Sequence, residues 1–557
     1  MSAIALALSI GYGLASLLTM ANWRWILIGG VFIVTLVVGL QILRDWRRGI
    51  TAFFLWIVVE DLIRKYMGNQ IILYAAKDLL IVMTYASFLL WRRRSASTGG
   101  WQNPVEVPLL VCLGVAIVNC FNTEIDHPLV PLVGLRMNFF YLPLLVLGYV
   151  YFDSDARVRR FLLLSLVAGG VVALLGLAQS LVGLGFLNPG GFVPGLRLEL
   201  IRVTPESQLL IPRPNSVFVD AGRFSQYLFV LFYLGLGAIC YWHRCDTGRN
   251  SAGADAWSEN RWPEGQRRFP WEMPRPPRWP RWTKVRQSAY HTFFRGGIFV
   301  WVCFGLIVAG LFVSAQRAVI VLLGLSFVVI VVIAWLERLR SWVNRGKSSR
   351  FPLAKTAICA MGVIGCYSLI RWDHLVAVYR FCLETLSPLA RETELTWRPY
   401  VYWQDILKAV RQSGVVGHGT GTASLGLQYV YDLDYMYADQ IYPYAIEGGY
   451  ASVIWEAGLL GLAVWLWWTT RLVIAGVQTT RLLRGSRFHW LGISLSIFIF
   501  CFLFPYFFLG MQVYQNYVTN AYHWFLCGLL FRLPALIGQA KSCHDAGEVR
   551  RPLGAGN

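Results

Sequence analysis

Long apolar runs recur along this chain from near its first residue to about position 535, and they constrain the fold more than any other feature. A helix needs about 20 mostly apolar residues to cross a bilayer. Fourteen such runs occur, at roughly 3–21, 25–43, 50–66, 71–91, 105–121, 129–151, 161–185, 223–243, 296–314, 317–337, 354–371, 447–470, 488–510 and 517–535. The expected fold is an all-α polytopic membrane protein, with about 14 transmembrane helices and a large, partly helical external loop. Hydrophobic residues make up 56% of the 557 positions and charged residues 14%, against roughly 25% charged in an average soluble domain. That deficit excludes a soluble multidomain protein. The run at 50–66 is the weakest, because it carries Glu60 and Asp61. The opening MSAIALALSIGYGL has no basic segment ahead of its apolar stretch and reads as a retained span.

Net charge is +20, from 50 Lys and Arg against 30 Asp and Glu. In a soluble chain such an excess points to nucleic acid. Here it marks cytoplasmic loops. Every second loop is basic: Arg44, Arg47 and Arg48; Arg92, Arg93 and Arg94; Arg157, Arg159 and Arg160; then 244–295, 338–353 and 471–487. The loops between them, such as 122–128 and 511–516, are poor in Lys and Arg. This alternation places both termini in the cytoplasm. It divides the chain into an N-terminal bundle (1–210), an eighth span with the residues leading into it (211–243), a cytoplasmic loop (244–295), central helices (296–371), a large external loop (372–446), C-terminal helices (447–535) and a cytoplasmic tail (536–557). The loop 244–295 is rich in Arg, Pro and Trp, which suits anionic headgroups or a docking partner. The cysteines show no Cys-x-x-Cys pair, and most sit in apolar runs as small hydrophobes. No P-loop, HExxH or Gly-x-Ser-x-Gly motif occurs.

Candidate chemistry gathers on the basic-poor side. Arg317, in FVSAQRAVIVLLGL, reads as an anion clamp or as a snorkelling interfacial arginine. Arg398, among the aromatics of TWRPYVYWQD, reads as an anion ligand or as a partner of Asp405 or Glu394. Arg213, in IPRPNSVFVDAGRFSQYL, is open between a ligand and a structural role, and Arg223 reads as interfacial. Arg136, within LVGLRMNFFYLPL, needs an anion or a partner. In VVGHGTGTAS, Gly417, Gly419 and Gly421 either bring backbone N–H groups close to an anion or sugar, or end a helix. His418 among them is a candidate base or a solvent-exposed loop residue. Glu447 suits a general base or a helix N-terminal charge, whereas Glu456, deeper in the same run, reads as a residue that ties helices together. Tyr400, Tyr444 and Tyr450 offer flat faces and hydroxyls to sugar rings, or form an interfacial belt. Asp432, Asp434 and Asp439 match no EF-hand spacing, and no metal or other cofactor is expected.

Four elements in order, RPNSVFVDAGRFSQYL, SAQRAVIVL, WRPYVYWQDILKAVRQSGVVGHGTG and EGGYASVIWEAGLLGL, resemble the O-antigen ligase/polymerase superfamily of bacterial envelope glycan assembly. The resemblance covers roughly 210–465. Arg317 matches the arginine that opens a span in such proteins, Arg398 the arginine of the large external loop, and Glu456-Ala457-Gly458-Leu459-Leu460-Gly461 the E-x-G-x-x-G tail. Glu447 stands where ligases of this kind carry a histidine, a departure that fits a polymerase better than a lipid A-core ligase.

The resemblance implies a multi-pass enzyme of the bacterial inner membrane. It would take a glycan from a polyprenyl diphosphate donor at the periplasmic face and transfer it to a growing glycan. Arg317 and Arg398 would stabilise the departing diphosphate, and Glu447 or His418 would take the acceptor's proton. Arg136, Arg213, the glycine turn and the tyrosines would bind substrate. Partners would be the lipid-linked donor, a glycan or lipid acceptor, membrane lipids and polysaccharide-assembly proteins, but no nucleic acid. Two other readings remain open at this point: a ligase that delivers glycan to a lipid or protein, and a glycolipid transporter or flippase.

Overall fold

The computed structural model describes residues 23–68, 71–94, 103–189, 200–203, 207–251, 297–343, 362, 365, 367–386, 397–424, 426–427, 430–431 and 448–548. The expected spans at 3–21 and, for the most part, 354–371 lie outside the described residues. So do most of the loop 244–295, the aspartates 432, 434 and 439, and the end of the tail.

The protein is an all-α membrane bundle. Its helices are α1 (Trp23–Arg44), α2 (Trp46–Met67), α3 (Ile71–Arg94), α4 (Glu106–Asn119), α5 (Leu129–Phe139), α6 (Leu144–Tyr151), α7 (Asp155–Val182), α8 (Ala221–Ser251), α9 (Gly297–Val313), α10 (Arg317–Val343), α11 (Trp372–Leu386), α12 (Trp397–Ser413), α13 (Gly449–Leu482), α14 (His489–Cys501), α15 (Met511–Gln515) and α16 (Tyr517–Glu548). A two-stranded antiparallel ribbon, β1 (Ile201–Val203) and β2 (Leu210–Pro212), pairs Arg202 with Ile211. Among the described residues, six helices are long and apolar enough to cross a membrane: Leu129–Tyr151, Asp155–Val182, Ala221–His243, Arg317–Leu339, Gly449–Leu482 and His489–Tyr506.

Local chemistry sets the breaks. Asp45 caps α2 by accepting from the Arg47 N–H at 3.1 Å, and Gly68 ends it at φ 84°. Pro143 has no N–H to continue a helix, so the span 129–151 breaks between α5 and α6. Pro505 sits in a π turn over Phe502–Tyr506, where α14 widens.

Burial differs sharply between helices. The membrane window of α8 is 94% buried, so a helix that is apolar all round occupies the bundle interior. The window of α10 is only 22% buried, and its Phe327, Val328, Trp335 and Leu336 face outward. Beside α8 runs α16, whose Val518, Ala521, Phe525, Leu529 and Leu533 are fully buried. It crosses α6 at very short range: a Cβ added to Gly528 would lie 2.4 Å from the Leu145 carbonyl oxygen, so only glycine fits there. The described cysteines are free thiols.

The two ends of the bundle differ in chemistry. At the end where α7, α14 and the basic loops begin, Asp153 pairs with Arg47 and Arg157, and Asp155 with Arg159 and Arg487. The opposite end, where α8, α10, α13 and α16 begin, carries the candidate site.

Candidate functional site at the α8 N-terminal end

The loop from β2 to α8, residues 210–223, lies at the centre of this end. Its polar groups are held from three sides. Gln179 of α7 accepts from the N–H groups of Asn215 and Ser216 at 2.9 and 2.8 Å, and donates to Asn215 Oδ1 at 3.0 Å. Lys65 of α2 donates to the Ser216 carbonyl at 2.5 Å. His374 of α11 reaches the Pro212 carbonyl at 3.0 Å. A carbonyl only accepts, so the proton of His374 sits on Nε2, and Nδ1 accepts from Tyr367 at 2.8 Å. Burial pushes the pKa of His374 below its usual 6.5, which keeps the ring neutral. Ser216 itself has φ 51°, an unusual conformation for a residue other than glycine, stabilised by its hydroxyl bonding the Val172 carbonyl at 2.7 Å.

Below this loop lies a cluster of buried charges. Glu60, Asp61, Arg64 and Lys65 occupy one side of α2, and all four are buried. Asp61 accepts from Arg64 at 2.8 Å, from Arg223 at 3.0 and 3.1 Å, from Tyr517 at 3.2 Å and from the Val219 N–H at 3.4 Å. Glu60 pairs with Lys77 of α3 at 2.7 Å, and both side chains are fully buried. The Lys77 ammonium also sits 4.5 Å from the centre of the Tyr517 ring. Arg136 pairs with Asp78 at 2.7 Å, next along α3. The charges that weaken the run at 50–66 are therefore interior, not lipid-facing. Arg223 is not merely interfacial: its Nη1 donates to both oxygens of the buried Asp61, and its Nε pairs with Asp220 at 3.5 Å.

Arg317 opens α10 with its guanidinium 4.5 Å over the Phe381 ring. Phe381 packs with Ile211 and Ala315 in a small apolar cluster, which brings the start of α10 against β2. Arg213 is buried in the same loop, its N–H on the Leu200 carbonyl at 2.7 Å. The structure thus brings Arg213, Arg223 and Arg317 to one neighbourhood.

The glycine turn builds a second arrangement. α13 is broken at Gly458, with φ 66° and ψ −164°. Residues 414–419 lie in the break and complete its hydrogen bonds. The N–H groups of His418 and Gly419 donate to the carbonyls of Trp455 and Glu456 at 2.9 and 3.0 Å. Those of Leu459 and Leu460 donate to Gly414 and Val415, each at 3.2 Å. Gly417, Gly419 and Gly421 all have positive φ. A Cβ on Gly417 would lie 2.5 Å from the Gly458 nitrogen, and one on Gly421 2.3 Å from the Val130 carbonyl oxygen. The turn does hold an anion, but it is the chain's own. The Glu456 carboxylate accepts from the Gly421 N–H and from the Ala423 N–H, the latter at 3.2 Å. The expected cradle for a bound anion or sugar at Gly417, Gly419 and Gly421 is thus corrected: these N–H groups have acceptors within the protein. Glu456 ties α13 to the glycine turn rather than to another helix. It also lines a cavity of about 40 Å³ with Asn138, Thr420 and Trp465.

His418 stacks on Trp455 at 4.0 Å, and its Nδ1 bonds Glu124. With the carboxylate accepting at Nδ1, the neutral ring carries its lone pair on Nε2. Tyr400 is exposed on α12. Tyr450 is not: its ring packs edge-on against Phe507 at 5.1 Å and its hydroxyl donates to the Leu503 carbonyl at 3.4 Å. Arg398 lies in the first turn of α12, and its side chain is outside the described residues, as are Glu447 and Tyr444.

Sequence reasoning missed the partners Lys65, Gln179 and His374, and read Glu60 and Asp61 only as a weakness. The signal for the last two was available: four charges within six residues of an apolar run imply an interior partner set. No model of a known protein family matches the chain, and no curated protein matches it.

Proposed function

We propose that the chain is a membrane glycosyltransferase that polymerises polyprenyl-diphosphate-linked oligosaccharide repeat units into exopolysaccharide or O-antigen, without a metal and with inversion at the anomeric carbon. The observation that carries this reading is the gathering of Arg213, Arg223 and Arg317 around the loop 210–223. They lie at the end of the bundle whose short loops, 122–128 and 511–516, have no Lys or Arg. In a topology of fourteen spans, with both termini in the cytoplasm of a bacterial inner membrane, that end faces the periplasm.

Breaking the bond from the anomeric carbon to the diphosphate oxygen leaves growing negative charge on the diphosphate. Arginines offer that charge paired N–H donors in a fixed plane. Arg317 and Arg398 take this role, with Arg213 near Arg317 and Arg136 bound to Asp78. Glu447 or His418 takes the proton of the attacking sugar hydroxyl. Of the two, His418 is held in place by Glu124 on Nδ1, but its Nε2 is buried, so it has to be uncovered before it can take a proton. Tyr400 and Tyr444 supply flat faces for sugar rings, whereas Tyr450 supports the α13 start. The energy comes from the activated lipid, so no nucleotide site is needed.

The test is elongation of lipid-linked oligosaccharide by the purified protein in detergent, where no membrane gradient exists. Elongation is expected, and Arg317→Ala or Arg398→Ala should abolish it while the protein still reaches the membrane. Wild-type product from either variant overturns the mechanism. Long lipid-linked polymer accumulating in a deletion strain would assign a ligase instead.

A further inference from the structure

We infer that α11 is an interfacial helix, which lies in the membrane plane with one apolar stripe in lipid and carries the loop 210–223 on its other face; the inference does not depend on the glycosyltransferase reading. The sequence assigns 372–446 to an external loop, yet α11 has two apolar faces. At 3.6 residues per turn, His374, Ala377, Val378 and Phe381 share one face, and Trp372, Val376, Tyr379 and Leu383 share the opposite one. The first face is buried. It packs on Ile211 and Ala315, and His374 bonds the Pro212 carbonyl at 3.0 Å. The second face is open: Trp372 is 65% exposed, Tyr379 62% and Leu383 51%. Asp373 and Arg380, both exposed, form a polar edge between the two faces.

Lipid is the occupant that the surroundings of α11 call for. Its first half sits at the ends of two apolar helices of the bundle. Leu375 packs with Leu177 of α7 and with Ala309 and Val313 of α9, and Arg371, just before α11, bonds the Ser180 carbonyl of α7. Its second half meets the start of a third, where the Phe381 ring lies 4.5 Å from the Arg317 guanidinium of α10. A helix that touches the ends of such helices along its length runs along the membrane boundary. The open stripe is also continuous with other outward apolar surface. Leu369 and Ile370 precede it, Val182 ends α7 close to Ser180, and all three are exposed. Trp and Tyr are the residue types enriched at that depth. The two arginines and two acidic residues of 371–386 cancel in charge, so apolar burial rather than attraction to anionic headgroups holds the stripe down. The consequence is positional: through His374 and Phe381, α11 seats the loop 210–223 at headgroup depth.

The test is nitroxide labelling of the full-length protein in vesicles of phosphatidylethanolamine and phosphatidylglycerol. Labels are placed on Tyr379→Cys, Leu383→Cys and Arg380→Cys, and the signal from native thiols in the unsubstituted protein is subtracted. Collisions with oxygen, which concentrates in lipid, are compared with collisions with a water-soluble nickel chelate. The labels at 379 and 383 should lie about 5–10 Å below the boundary between headgroups and acyl chains. The label at 380 should lie at that boundary or in water. Chelate access at 379 and 383 equal to that at 380 means that the stripe faces water, and overturns the inference. Shielding of 379 and 383 from both oxygen and chelate means that protein, such as a second copy of the chain, covers the stripe, and overturns it as well. All three side chains are exposed, so each variant should unfold at the wild-type temperature. The three labels report independently, so a variant that fails this check is replaced by its neighbour on the stripe, Trp372→Cys.

Discussion

The charge cluster around Asp61 and the break at Gly458 both bury polar groups at the same end of the bundle, and they satisfy them in opposite ways. In the first, side chains from α2, α3, α8 and α16 neutralise one another. In the second, backbone N–H and carbonyl groups freed by an interrupted helix are taken up by the backbone of another segment, residues 414–419. The difference teaches where each region is vulnerable. A side-chain cluster depends on the identity of every member, because removing one leaves a buried charge without its partner. A backbone splice depends on little but the absence of Cβ atoms where two chains touch.

The largest expected effect is in the charge cluster. Lys77→Met should destabilise the protein by about 3–5 kcal/mol, since it strands Glu60 in the interior. Adding Glu60→Leu should recover much of the loss, because an apolar pair needs no desolvation. Thermal unfolding in detergent, followed by tryptophan fluorescence, measures both. No recovery in the double variant would show that the cluster acts as a unit rather than as pairs.

An intermediate effect tests the splice. Gly417→Ala meets both a positive φ of 83° and a backbone atom 2.5 Å away, so it should cost about 2–4 kcal/mol. Gly414→Ala has a positive φ but open space around it, so it should cost about 1–2 kcal/mol. The same unfolding assay ranks them. Equal costs would mean that the close approach to Gly458 matters less than backbone conformation.

The smallest effect lies beside the loop 210–223, at His374. Burial keeps it neutral in the folded protein, whereas the unfolded chain takes a proton near pH 6.5. The unfolded state therefore binds more protons below that pH, and stability should fall as pH drops from about 6.5. Protonation would also remove the Nδ1 lone pair that accepts from Tyr367. Limited proteolysis around α11 at pH 7 and pH 5 should show faster cleavage at the lower pH. His374→Gln should flatten that dependence.

Much of the architecture was legible in the residues. Apolar runs locate the helices, because hydropathy is local, whereas the caps at Asp45 and Gly68 that extend α2 to Trp46–Met67 come from the structure. The break at Pro143 between α5 and α6 is equally local, yet the apolar pattern reads 129–151 as one continuous run and passes over it. The motif RPNSVFVDAGR marks a functional-looking loop, but its partners Lys65, Gln179 and His374 come from 36 to 162 residues away. No local pattern encodes them. The glycine turn shows the limit most clearly. Its sequence correctly announces close backbone approach, yet whether a ligand or a broken helix approaches depends on what α13 does at Gly458.

Sequence alone determined that this is a helical membrane protein and which stretches can cross a bilayer, because a segment's hydropathy is its own property. It also determined that arginines such as Arg317 break the loop-charge pattern. Only the tertiary structure decided that Glu60 and Asp61 face inward, that Arg223 rests on Asp61, and that Glu456 fills the glycine turn. The reason is physical: transfer from water to lipid is set residue by residue, whereas the partner of a buried charge is set by which helices meet.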